Sequence, residues 1–78
     1  MELSETLTLM NMILEKQNKE PIHSHDQKLR EIGFRSLDFS ELALRVEMTT
    51  GKELNFDASH LRKIETVSDV LEFFQECA

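Results

Sequence analysis

Seventy-eight residues with fifteen Asp and Glu against nine Lys and Arg have a formal net charge of −6. That balance disfavours nucleic acid and anionic membranes as partners and suits docking to basic patches on other proteins. A chain of this length is expected to form one domain over residues 1–78, with too small a core for an enclosed catalytic pocket, so enzymatic activity is not expected. The single cysteine, Cys77, rules out a disulfide framework, and no secretory leader or long apolar run is seen; a cytoplasmic protein without membrane insertion is expected.

From Leu3 to Lys16 the apolar residues Leu3, Leu7, Met10 and Leu14 recur at helical spacing, Leu9 and Ile13 widen the stripe, and Ser4 is placed to cap it. Gln17 to Arg35 then carry Pro21, two histidines and many charges, with Ile22, Leu29, Ile32 and Phe34 to fasten them to a core. A loop this long in so small a domain is usually functional. A short helical turn falls near Asp26 to Glu31.

The next helix is expected from about Leu37 to Met48, and it carries two apolar stripes when its residues are set at about 100° steps. Phe39, Leu42, Ala43 and Val46 fall on one side, while Leu37, Leu44 and Met48 fall on the other. Only one side of a helix in a small domain faces the core. Thr49, Thr50 and Gly51 end this helix, with Gly51 as a left-handed cap, and Lys52 to Phe56 form an extended connection.

Asp57 is placed to cap a short helix over Ala58 to Arg62. Thr66 followed by Asp69 makes a capping-box-like start for a last helix, in which Val67, Val70, Leu71 and Phe74 repeat at helical spacing. Gly and Pro together number three, and no alternating apolar run is long enough for a sheet. The fold class expected is all-α: a four-helix bundle with a short third helix and a long loop between the first two long helices.

The stretch Gly33-Phe34-Arg35-Ser36-Leu37-Asp38-Phe39-Ser40-Glu41-Leu42 sets a serine on the first turn of the two-stripe helix. Gly33 takes backbone angles closed to bulkier residues, and Ser36 is placed to cap the orphan amides. Those amides and the positive end of the helix dipole form a seat for a phosphate group.

Ile32 to Glu47 with its Gly-x-x-Ser-Leu-Asp core, the Glu53-Leu54 pair, the Ile64-x-Thr66-Val67 segment and the amphipathic final helix resemble the acyl carrier proteins, most strongly between Leu29 and Val70. The resemblance implies a 4'-phosphopantetheine arm, derived from coenzyme A, joined to Ser36 by a phosphopantetheinyl transferase. The arm ends in a thiol that holds acyl groups as thioesters. The partners implied are an acyl-loading ligase, synthase or acyltransferase, the chain acting as a monomer in a specialised lipid or polyketide-type pathway. Most of the family has aspartate before the serine, whereas this chain has Arg35, so its transferase and docking partners are expected to differ from those of the general fatty-acid carrier.

In the family, acids on this helix meet basic residues of partner enzymes, and Asp38, Glu41 and Glu47 match such positions while Arg45 interrupts them. Leu37 and Leu44 match apolar contact positions. Together with Met48 they are either a docking surface beside Arg35 or satellite core beneath the long loop. Ala43, Val46, Leu54, Phe56, Leu61, Ile64 and Val70 are expected between the last three helices, where relatives shelter part of the acyl chain; ordinary core packing is the other reading. Phe39, Phe56, Phe73 and Phe74 are candidates to fill that space.

Other chemistry is weaker. Gly-x-Ser-x-Gly is absent, which argues against a serine hydrolase. His23 and His25, drawn with His60 or Asp26, lack a second shell to fix a metal, and Cys77 is far away in sequence. Asp38 and Glu41 look like a carboxylate pair, but nothing in the sequence suggests burial or perturbed acidity. Two further readings stay open: an aminoacyl or peptidyl carrier, and a helical protein-interaction module that bears no arm.

Overall fold

The computed structural model describes residues 2–54 and 58–77. Among them all regular structure is helical: α1 (Leu3–Lys16), α2 (Leu29–Ile32), α3 (Ser36–Thr50), α4 (Ala58–Lys63) and α5 (Val67–Cys77). Phe56 and Asp57, expected as a cavity residue and as the cap of the short helix, lie outside the described residues.

α1 runs over the expected span but starts differently. Glu2 in extended conformation takes the N-cap position, and Ser4 lies inside the first turn, where its carbonyl accepts the Thr8 hydroxyl at 2.9 Å. With Glu2 at the cap position, Ser4 is the second helical residue, and no side chain caps the start of α1. Leu3 is 39% exposed, so the inward stripe consists of Thr6, Met10, Ile13 and Leu14, all fully buried.

These side chains meet Phe39, Leu42, Ala43 and Val46 of α3 and Val67, Val70, Leu71 and Phe74 of α5, so α1 packs on both. Phe74 lies at the centre, with its ring 5.3 Å from that of Phe39 and edge-on to Phe73 at 5.1 Å. Such tilted and edge-to-face arrangements are favourable beyond the area they bury.

The loop after α1 is tied down by polar groups as well as by its apolar residues. Asn11 Oδ1 accepts the Ile22 amide at 2.8 Å, and Gln27 Oε1 accepts those of His23 and Ser24. The backbones of His25, Gln27 and Leu29 bond to Ser68, Val67 and Glu65, closing an isolated bridge between Lys28 and Thr66. That pairing holds residues 25–28 out of helical geometry, so α2 begins at Leu29 and not near Asp26. Phe34 is buried, and Ile22, Leu29 and Ile32 are partly buried against the core.

α3 is longer than its periodicity suggested. Thr49 and Thr50 fold their hydroxyls back onto the Arg45 and Val46 carbonyls at 2.8 and 2.9 Å, which lets them stay helical. Gly51 (φ 73°) then ends the helix, its amide donating to the Glu47 carbonyl. At the start of α5 the capping box forms as read: the Thr66 amide donates to Asp69 Oδ2 at 3.1 Å, and the Asp69 amide to the Thr66 hydroxyl at 3.2 Å.

Candidate functional site

The approach to α3 is a sharp turn built around Gly33, which ends α2 at φ 76°. Its carbonyl accepts Lys19 Nζ at 2.5 Å, and the next amide, that of Phe34, returns to the Leu29 carbonyl at 2.9 Å. Phe34 then points into the core and fixes where the chain enters the helix.

Arg35 is extended and occupies the N-cap, so Ser36 is the first helical residue and not the cap. The capping interaction is supplied from within: the Arg35 amide donates to Asp38 Oδ2 at 2.8 Å, while the Arg35 carbonyl accepts the Phe39 amide. Ser36 is exposed, and its carbonyl accepts the Ser40 hydroxyl at 3.1 Å. On the first turn its amide has no carbonyl within the helix to donate to, and this is where the helix dipole is most positive.

The three acids of α3 are all engaged by the protein itself. Asp38 is only 8% exposed, and its Oδ1 accepts the Gln17 side-chain amide at 2.6 Å. Glu41 is gripped by Lys16 at 2.9 Å and Arg45 at 3.0 Å. The Lys16 ammonium, partly offset by burial and helped by Arg45, holds the Glu41 carboxyl below its ordinary range. Glu47 Oε2 accepts the Leu54 amide at 3.3 Å. Burial of Asp38 and perturbed acidity at Glu41 thus correct the expectation of two unburdened carboxylates; Gln17 and Lys16 are too distant in the chain for any local pattern to pair them with these acids.

The outward side of α3 is apolar. Leu37, Leu44 and Met48 are 83%, 61% and 84% exposed, so no loop covers them and they are not satellite core. With Ser36 and Ser40 they form a continuous row, since positions 36, 40, 44 and 48 recur every four residues. Arg35 is exposed at the head of that row.

On the inner side Ala43, Val46 and Val70 are fully packed, whereas Leu54, Leu61 and Ile64 are half-buried against them. Among the described residues no three His, Cys, Asp or Glu side chains come together as metal ligands. His23 and Glu20 approach to 3.8 Å on the open surface. No described helix is long and apolar enough to cross a membrane.

Comparison with solved structures gives a match over the full length. The chain superposes on the crystal structure of an acyl carrier protein from Thermotoga maritima with a TM-score of 0.71, covering 99% of this chain and 91% of that one, at 23% sequence identity. It has the acyl carrier protein fold. No protein-family model and no curated protein matches the sequence. At this level of identity the likeness concerns the backbone alone.

Proposed function

We propose that this chain is an acyl carrier protein, without catalytic activity of its own, whose Ser36 bears 4'-phosphopantetheine. The observation that carries the reading is the exposed Ser36 hydroxyl at the first position of α3, with helix capping done by Asp38 in its place. A serine engaged as the cap would direct its oxygen to its own helix; this one is open to a transferase. The site suits the arm's phosphodiester, because the first-turn amides, the positive helix end and the exposed Arg35 all favour an anion there. When attached, the arm supplies a thiol that holds an acyl group as a thioester.

The protein's residues have positioning roles. Gly33 and Lys19 shape the turn that presents Ser36, and Leu37, Leu44 and Met48 form the surface that a transferase and the acyl-loading or acyl-transferring enzymes touch. Asp38 leaves the set of docking acids because it is buried, Glu41 is offset by Lys16 and Arg45, and Glu47, bonded to the neutral Leu54 amide, keeps its charge for a partner. Leu54, Leu61 and Ile64, half-buried over Ala43, Val46 and Val70, are the side chains that would part to shelter an acyl chain. The cargo is an acyl group of a specialised lipid or polyketide-type pathway.

Incubation with coenzyme A, magnesium and a broad-specificity phosphopantetheinyl transferase should add the mass of one phosphopantetheine, and Ser36→Ala should abolish the gain. Attachment at Ser40 or Ser24 would refute the site. No attachment under any condition would leave α3 as the face of an interaction module.

A further inference from the structure

α1 ends in a short run that faces the start of α3. Asn18 in left-handed conformation (φ 60°) closes the helix, and the Lys19 amide turns back to the Leu14 carbonyl at 2.9 Å. Asparagine tolerates that conformation better than most residues. Lys16, Gln17 and Lys19 then reach Glu41, Asp38 and Gly33, in reverse chain order, at 2.9, 2.6 and 2.5 Å. Lys19 bonds ahead of Ser36 and Lys16 beyond it, whereas the Gln17 bond falls on the turn that holds Ser36 itself.

Asp38 is 8% exposed and uses one oxygen for each neighbour: Oδ1 accepts the Gln17 side-chain amide, and Oδ2 accepts the Arg35 amide at 2.8 Å. The Gln17 bond thus fixes the carboxylate that in turn fixes the residue before Ser36. Without it Oδ1 needs water, which a nearly buried carboxylate reaches only by rotating, and rotation swings Oδ2 off the Arg35 amide. Gln17 is itself exposed, so its truncation empties nothing from the core.

We propose that Gln17 is a positioning residue for attachment of the arm, acting through Asp38 to hold the first turn of α3 where Ser36 Oγ meets coenzyme A. The proposal rests on the carrier reading. In that reaction Oγ forms a bond to the coenzyme A phosphorus that bears pantetheine. The bond from that phosphorus to the bridging oxygen breaks, adenosine 3',5'-bisphosphate leaves, and the hydroxyl proton passes to a base of the transferase. Such a displacement depends steeply on the approach of the attacking oxygen, a misplacement of about 1 Å costing up to about a hundredfold in rate.

The test is single-turnover loading of the full chain by a broad-specificity transferase with coenzyme A and magnesium, read by mass at rising transferase concentration. Gln17→Ala should lower the maximal rate about tenfold, while the half-saturating transferase concentration changes less than about twofold, because the exposed Leu37, Leu44 and Met48 are untouched. In an Asp38→Ala background Gln17→Ala should slow loading no further, as two residues of one link behave. Thr6→Ala, a change at a buried position about 16 Å back along α1, should lower the melting temperature and alter neither value. With no transferase present, amide hydrogen exchange at Arg35 should be about tenfold faster in Gln17→Ala than in the parent. An unchanged maximal rate, a change confined to the half-saturating concentration, a full further loss in the Asp38→Ala background, or unaltered exchange at Arg35 would overturn the proposal. A parent that takes up no phosphopantetheine overturns the carrier reading as well, whereas a parent and a Gln17→Ala variant that load equally fast overturn the positioning role alone.

Discussion

The backbone amide of Arg35 and the carboxylate of Asp38 are joined at 2.8 Å, three residues apart across the first turn of α3. This one bond caps the helix, draws a charge out of solvent, and leaves the Ser36 hydroxyl free of structural duty. Asp38→Ala should cost about 1–2 kcal/mol by loss of the cap, lowering the melting temperature by roughly 4–8 °C per kcal/mol in a domain of this size. Ser36→Ala should stay within about 0.5 kcal/mol. Equal thermal melts for the two variants would show that the cap is not where the bond places it.

Leu42 and Leu44 are two positions apart, with 0% and 61% exposure. Leu42→Asp places an unpaired charge among Met10, Val46 and Phe74, a loss of several kcal/mol that a small domain does not survive. Leu44→Asp should melt within a few degrees of the parent yet slow acyl transfer between the arm and its cognate enzyme. A folded Leu44→Asp protein with unaltered transfer would remove Leu44 from the docking surface.

Gly33 and Gly51 both have left-handed backbone angles, at φ 76° and 73°, but their surroundings differ. A Cβ at Gly33 would meet Lys19 Nζ at 3.0 Å, whereas one at Gly51 would meet nothing within 4 Å. Gly51→Ala should show the backbone strain alone, roughly 1–2 kcal/mol. Gly33→Ala should show that strain plus displacement of Lys19 from the Gly33 carbonyl, so its denaturant midpoint should fall further. The reverse order would deny Lys19 a part in the turn.

Glu41 and Asp69 both have carboxyls held below their ordinary range in the folded protein, Glu41 chiefly by Lys16 and Asp69 chiefly by the Glu65 and Thr66 amides. A pKa lowered by folding contributes stability that is fully present above the unfolded-state value and is lost as pH falls through the folded one. Glu41→Gln and Asp69→Asn should therefore be less stable than the parent near neutrality, with the gap closing as the solution is acidified below about pH 4. Melting differences that stay constant from neutral to acid pH would exclude ionic and charge-assisted contributions from these two groups.

What the sequence by itself determined is local in character. The inward row of Phe39, Leu42, Ala43 and Val46, the outward Leu37, Leu44 and Met48, the glycine stop at Gly51 and the reciprocal caps of Thr66 and Asp69 all depend on residues of a single helix and its caps. Helical periodicity and capping chemistry operate over that range. Tertiary structure decided which polar groups found partners. Asp38 meets Gln17 across 21 residues, and Glu41 meets Lys16 across 25. The Lys28–Thr66 bridge likewise moved the start of α2. Packing α1 against α3 brings those groups within reach, and partners 21 and 25 residues apart leave no local pattern by which the sequence alone could have paired them.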